Sequence, residues 1–285
     1  MKNHSFIHIV FFIAFLVLVE LLSGANTVSA LNLIGPPRSI LKPEQNSLSV
    51  EISYSNMDLE AYGEVGQTIY GTPQAERYGK YEIENMKSLT PSVRLDTNIF
   101  ENWDAFLRVG LTDAAGDISE EQAGGATGTE FDDYDSDYGF SFGIGTRTTF
   151  FEQENTTWGA SFQANWMNPG DSDITDKSDT NFSGTAELDY MEIQVAFGPT
   201  VQFENVRVYG GPFLHFVKGN LDIAGVTSDG IGTMTLDISS DIREKSQLGG
   251  FLGAQWRLGD SSTLITETQF TGDALGASVS MSWKF

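Results

Sequence analysis

Cysteine is absent from the 285-residue chain, which excludes a disulfide framework and any thiolate metal site. Histidine is scarce: His4 and His8 fall near the start, and His215 is the only one after them. Basic residues are few, 16 Lys and Arg against 39 Asp and Glu, for a net charge of −23. That balance is wrong for a nucleic-acid partner, which needs basic patches to neutralise phosphates. Beyond residue 30 no apolar run approaches the roughly 20 residues of a membrane-spanning helix, so helical spans are excluded there.

One long apolar run does occur, at the beginning. Lys2 precedes Phe6 to Leu22 (FIHIVFFIAFLVLVELL), and Val28-Ser29-Ala30 offers small residues for cleavage. A charged start, an apolar middle and a small-residue site read as an export signal over 1–30. Glu20 within the run and the cleavage site argue against the alternative, an uncleaved anchor. With no Cys after it, lipid attachment is ruled out. Lys2 and Glu20 cancel, so Leu31 to Phe285 keeps the whole charge and has the length of one large all-β domain.

Within that domain, strict alternation recurs. At the C-terminus Leu275, Ala277, Val279, Met281, Trp283 and Phe285 share one face, and Gly276, Ser278, Ser280, Ser282 and Lys284 the other. Successive side chains of a strand point to opposite faces, so each such segment has one apolar and one polar side. Leu48 to Ser55, Val93 to Ile99 and Ala105 to Thr112 repeat the pattern, as do stretches near 138–150, 158–167, 190–203, 206–217, 248–258 and 264–270. With the last strand this predicts ten, with eight or twelve as alternatives.

The connections alternate between short turns, near Glu101-Asn102, Glu152 to Thr156, Glu204-Asn205 and Gly259 to Ser262, and long stretches at 60–87, 113–137, 168–186 and 218–245. Gly272-Asp273 is a short exception. Short turns on one side and long loops on the other are the layout of an antiparallel up-and-down transmembrane barrel. The expected organisation is an export signal over 1–30, a periplasmic lead-in over 31–46 containing Pro36-Pro37 and Pro43, and a barrel over 47–285. The long second and fourth loops could extend the hairpins above the membrane.

The signal, the ten-residue alternating strands and the closing Met281-Ser-Trp-Lys-Phe285 resemble the bacterial outer-membrane β-barrel superfamily, in the manner of small OmpA- or porin-like barrels. The resemblance implies an outer-membrane location, contact with lipid and lipopolysaccharide, and an assembly signal at Trp283 and Phe285 read by the barrel-assembly machinery. It covers the mature chain as a pattern and implies no particular activity. A secreted β-sandwich would alternate too, but it would not need aromatics near both ends of its apolar faces. Tyr54, Trp103, Tyr138, Phe150, Trp158, Trp166, Phe203, Trp256, Phe270 and Phe285 lie there, as an interfacial girdle requires.

Apolar faces turned to lipid leave the polar faces in the lumen. These carry Arg94, Arg108, Arg147, Arg207, Arg257 and Lys284, expected at similar depth, with Glu51, Asp96, Glu192, Glu267, Gln163, Gln194, Gln255, Gln269, Tyr209 and His215. Two readings follow: a packed interior of paired charges, or a narrow basic pore favouring anions. Ten strands lie nearer the side-chain-filled barrels of eight than the open channels of about sixteen, which favours the packed interior.

The long loops are strongly acidic. Residues 113–137 hold Asp113, Asp117, Glu120, Glu121, Glu130, Asp132, Asp133, Asp135 and Asp137 with no Lys or Arg. Asp132, Asp133, Asp135 and Asp137 form a candidate weak cation-binding loop. The run fails as an EF-hand, because its glycine comes one place late at Gly139 and Ile144 stands where Glu is needed. A solvated loop is the simpler reading.

Catalysis has little to rest on. Omptin-like proteases carry Asp two residues before the His, where this chain has Phe213; lipid A deacylase-like barrels carry Ser two after, where it has Val217. A G-x-S-x-G elbow is absent, and a lone His without a second His or Cys makes a poor metal site. The reading is a non-enzymatic barrel without cofactor, displaying acidic surface loops in a structural or partner-binding role, the extracellular partner unspecified. The alternative is a narrow porin-like channel with a basic lumen; a hydrolase centred on His215 stands behind both.

Overall fold

The computed structural model describes residues 31–285 apart from 123–125, 132–133, 178, 180 and 229–230. The described residues form one antiparallel sheet and no helix. In chain order its strands are β1 (Asn46–Ile69), β2 (Thr72–Pro73), β3 (Arg77–Phe100), β4 (Trp103–Thr112), β5 (Ala115–Gln122), β6 (Ala126–Glu130), β7 (Tyr134–Asp135), β8 (Gly139–Gln153), β9 (Thr156–Ile174), β10 (Ser183–Phe203), β11 (Val206–Ser228), β12 (Thr233–Glu244), β13 (Leu248–Arg257), β14 (Ser262–Phe270) and β15 (Ala274–Lys284).

A ring of 10 strands closes: β1, β3, β4, β8, β9, β10, β11, β13, β14, β15 and back to β1. This is the up-and-down barrel, and the strand count, that the alternation predicts. Closure matters because hydrocarbon offers no partner to a free backbone N–H or C=O. The seam is sealed to the last residue, where Asn46 N–H donates to Phe285 O and Phe285 N–H to Asn46 O, both at 3.0 Å. Three of the tight hairpins each place a residue in the left-handed region, Asn102 (φ 64), Glu154 (φ 47) and Glu204 (φ 39). An Asn beside or at that position, in Glu101-Asn102, Glu154-Asn155 and Glu204-Asn205, is a favoured turn signal.

β4, β13, β14 and β15 have 10, 10, 9 and 11 residues, which matches the roughly 9–11 that a tilted strand needs to cross a bilayer. Their outward side chains are apolar and exposed: Leu107, Val109, Leu111, Leu252, Phe270 and Trp283 join Leu48, Val50, Ile52, Val93 and Leu95 from β1 and β3. Aromatics rim this belt, with Phe100, Trp103, Phe150, Phe203 and Phe285 toward the tight turns and Tyr138, Phe140 and Trp166 toward the other end. Such a belt is stable against lipid and not against water.

β1, β3, β10 and β11 are about twice that length, at 24, 24, 21 and 23 residues. Above the level where β13, β14 and β15 end, β12 fills the space between β11 and β1, pairing Lys218 to Ser228 on one side and Leu59 to Ile69 on the other. β5 likewise takes the place of β4 beside β3. Most of 60–87, 113–137, 168–186 and 218–245, expected as loops, is therefore strand in an extension of the barrel. The transition is marked by register shifts at Met57/Leu59, Glu84/Lys87 and Leu188/Tyr190, where bulges re-aim strands into a new set of neighbours.

The physical reason the extension escaped detection is an inversion of polarity without a change of period. Along β1, the inward residues are Ser47, Ser49, Glu51, Ser53 and Ser55, then Met57, Leu59, Ala61 and Val65; the outward ones run Leu48, Val50, Ile52, then Glu60, Tyr62 and Glu64. Below the bulges the barrel is polar inside and apolar outside, as lipid demands. Above them it is apolar inside and polar outside, as water demands. Leu59, Ile83, Met86, Ile118, Phe131, Tyr134, Ile174, Leu188, Leu221, Ile223, Ile238 and Ile242 belong to the resulting core.

The expected periplasmic lead-in is also placed differently. Residues 31–41 lie inside the barrel, with Leu31, Leu33 and Ile34 buried. They pack with Ala196, Tyr209, Phe213, Phe251 and Ile265 from β10, β11, β13 and β14. A segment whose apolar side chains find a lumenal cluster gains more there than in water.

Candidate functional site

The lumen is built in tiers. Above the tight-turn mouth sits a charge network on β1, β3, β4 and β8. Glu51 meets Arg94 Nη1 at 2.7 Å and Arg108 Nε at 2.8 Å. Asp96 meets Arg94 Nε at 3.1 Å and also pairs with Arg147, whose Nε stands 3.6 Å from Asp104. Three guanidiniums thus face three carboxylates, all of them buried. Arg94 and Arg108 lie directly opposite across β3 and β4, a placement that would repel without Glu51 between them. The Phe106 ring has all three guanidinium carbons over it, at 5.1 Å (Arg94), 5.6 Å (Arg147) and 5.7 Å (Arg108), adding cation–π attraction in a dry setting.

The N-terminal segment is stitched into this network. Arg108 Nη2 donates to Leu33 O at 2.9 Å. Asn32 O accepts from Gln163 and Gln269, both at 2.9 Å, and Asn32 Nδ2 donates to Glu192 at 3.0 Å. Glu267 receives the backbone N–H groups of Ile34 (2.8 Å) and Gly35 (2.9 Å). Gly35 adopts φ +75, where a side chain would be strained. Nearer the tight turns, Asp104 accepts from the Ile40 N–H at 2.6 Å, the Leu41 N–H at 3.3 Å and the Ser39 hydroxyl at 2.8 Å. The segment has no strand to pair with, so wall side chains satisfy its backbone.

At the upper boundary of the polar section His215 Nε2 lies 3.7 Å from Glu192 Oε1, with both side chains 1% exposed. Neither ring nitrogen has a hydrogen-bond partner among the described residues. Phe213 and Val217, from the same face of β11, pack on either side in the two apolar clusters. Among the described residues no hydroxyl is hydrogen-bonded to the pair.

Arg207, Arg257 and Lys284 do not share the depth of Arg94, Arg108 and Arg147. They line a cavity of about 400 Å³ at the tight-turn mouth, and Arg257 is exposed. The sequence pattern gives side but not height, because tilted strands place equivalent-looking positions at different levels. Asp104 and Phe106 complete the site without standing out in the sequence. Both share the inward parity of Arg108 on β4, which was the available signal.

Of the candidate cation loop, Asp132 and Asp133 lie outside the described residues, and Asp135 and Asp137 are exposed. Among the described residues no three His, Cys, Asp or Glu side chains converge as metal ligands. The acidic character instead decorates the extension. Glu64, Glu76, Asp171, Glu187, Asp222 and Asp237 surround a cavity of about 470 Å³ there. On the outer face of β1, burial pulls the Glu60 carboxyl upward. Hydrogen bonds from Tyr62 and Lys80, with the charges of Lys80 and Lys245, outweigh it and hold the group below the usual carboxylate range.

No protein-family profile matches the chain, and no curated protein matches it. Among solved structures, the outer-membrane protease OmpT from Escherichia coli is similar with a TM-score of 0.50 at 7% identity, over 84% of this chain and 97% of that one. The translocator domain of the autotransporter NalP from Neisseria meningitidis gives 0.41 at 11% identity, over 87% and 90%. Ail, the attachment invasion locus protein of Yersinia pestis, gives 0.24 at 11% identity, over 86% and 100%. At such identities the likeness is one of fold.

Proposed function

We propose, for a chain with the bacterial outer-membrane β-barrel fold, that it is a closed, non-conducting barrel whose task is to hold an acidic extension at the cell surface for binding. The observation that carries this is the double filling of the interior. The polar section is occupied by the paired charges and by residues 31–41, and the section above it by an apolar core. An aqueous pore needs a wetted path, and a core built around Leu59, Ile83, Leu188, Leu221 and Ile238 offers none.

Short turns in such barrels face the periplasm and long connections the exterior, so the extension projects outward. Its outer face carries much of the net charge of −23, which favours cationic partners and divalent-bridged lipopolysaccharide over anionic ones. A hydrolase reading would require substrate to reach the His215–Glu192 pair, which is buried beneath that core.

The test is single-channel recording on the folded mature protein in a planar bilayer, with insertion verified by protease protection. The expected outcome is a silent bilayer at all voltages. Discrete, salt-dependent steps would return the protein to the channel class.

A further inference from the structure

The mouth at the tight-turn end differs in kind from the network above it. Arg94, Arg108 and Arg147 each face a carboxylate. Arg38, Arg207, Arg257 and Lys284, which line the cavity of about 400 Å³, have no ion pair among the described residues. Their partners are neutral: Arg38 Nη1 donates to Thr157 at 3.4 Å, Arg207 to Gln202 and to Gln255 (3.2 Å), Arg257 to Asn205 at 2.9 Å, and Lys284 Nζ to Ile40 O at 2.6 Å. Arg38 Nε is buried with no hydrogen-bond partner among the described residues. Lys42 joins the lining, against only Glu152 and Asp260.

Five cations and two carboxylates around one cavity is an uncompensated positive site in a protein of strongly negative charge. Arg38, Arg207 and Lys284 are half-buried, with Lys42 and Arg257 exposed at the rim. Partly desolvated cations that repel one another cost free energy, and a multivalent anion placed among them offsets it. The donors converge from separate walls: Arg38 from the lumenal segment, Arg207 from β11, Arg257 from β13 and Lys284 from β15. A planar carboxylate satisfies one fork well, whereas a tetrahedral oxyanion can accept from several directions at once, and guanidinium forks suit phosphoryl oxygens.

We propose that this mouth is a phosphoryl-binding site, taking either free phosphate or the phosphate of a lipid headgroup, and that the bound anion ties the lumenal segment to the barrel wall. Anion binding at the mouth does not depend on whether the lumen conducts.

The test is ³¹P NMR titration of the refolded mature protein in zwitterionic detergent at constant ionic strength. One arm uses inorganic phosphate as probe; the other uses short-chain phosphatidylglycerol in mixed micelles. The variants are R207Q/R257Q, with K284Q as a second should the double variant fail to refold, and R243Q on the extension as control. Saturable binding, weakened at least tenfold in the mouth variants and unchanged in R243Q, is expected. Saturation by inorganic phosphate identifies the free anion as source, and saturation by the lipid alone identifies a headgroup. No saturable signal from either probe, or equal binding in all variants, overturns the proposal.

Discussion

At the scale of single residues, the lumen depends on groups whose value lies in their partners. Arg108 illustrates this. It pairs with Glu51, donates to Asn165 at 2.8 Å and holds Leu33 O. Deleting it leaves Glu51 with Arg94 alone in a buried site and unties the lumenal segment. Removing one member of such a network costs about 3–5 kcal/mol. Arg108→Ala is expected to lower the urea midpoint of the folded barrel accordingly, read by tryptophan fluorescence, while an exposed change on the extension such as Lys218→Ala leaves it in place. An unchanged midpoint would show that the network is not a source of stability. Asp104 plays the corresponding part near the mouth, where one carboxylate organises Ser39, Ile40 and Leu41.

At the scale of elements, the lumenal segment and the extension each stand on a specific device. The segment runs so close to β9 that a Cβ at Gly159 would lie 1.8 Å from Pro37 O. Gly159→Val therefore displaces the segment without altering any charge, although its Cβ would also press on Thr148 O of β8 at 2.6 Å. The expected result is rapid cleavage within 31–45 by an added protease on the tight-turn side, with the barrel itself intact on a gel; continued protection would mean the wall yields instead.

The extension is braced across β1, β3 and β12. Tyr62 donates to Glu60 at 2.8 Å, Lys80 stands 3.5 Å and Arg243 of β12 3.8 Å from Glu60, and Lys245, just past β12, lies 3.3 Å from Glu82. A depressed carboxyl pKa contributes stability that is present above the unfolded value and lost as pH falls through the folded one. Acidification below the ordinary Glu range should thus loosen the extension first. Hydrogen exchange in β12 should rise there in the wild type, and the pH dependence should shrink in Glu60→Gln.

At the scale of the whole molecule, the proposed closed barrel has two seals in series. Deleting 31–41 opens the lower lumen to water but leaves the apolar core above it, so conductance should stay near zero. Combining that deletion with Leu59→Asp and Leu221→Asp, which place charges inside the core, should produce steady conductance if the barrel survives the desolvation cost. Conductance from the deletion alone would locate the only seal in the N-terminal segment.

How much of this is legible in the sequence depends on which physical rule is being read. Period-2 alternation, tight turns with Asn beside the left-handed residue and a terminal apolar face ending in Phe285 are local. They determined the all-β barrel, its ten-strand ring and the side on which Arg94, Asp96, Arg108, Arg147, Glu192, His215 and Glu267 lie. Three matters belonged to the tertiary structure. Which charges pair depends on register and tilt, so Arg207 and Arg257 fell to the mouth while Arg94, Arg108 and Arg147 met their carboxylates. That most of the described residues in 60–87 and 218–245 are strand depends on a change of solvent, because above the membrane the same alternation must face the opposite way. And residues 31–41 hold no pattern of their own; only the closed barrel supplies the carboxylates, amides and apolar wall that draw them inside.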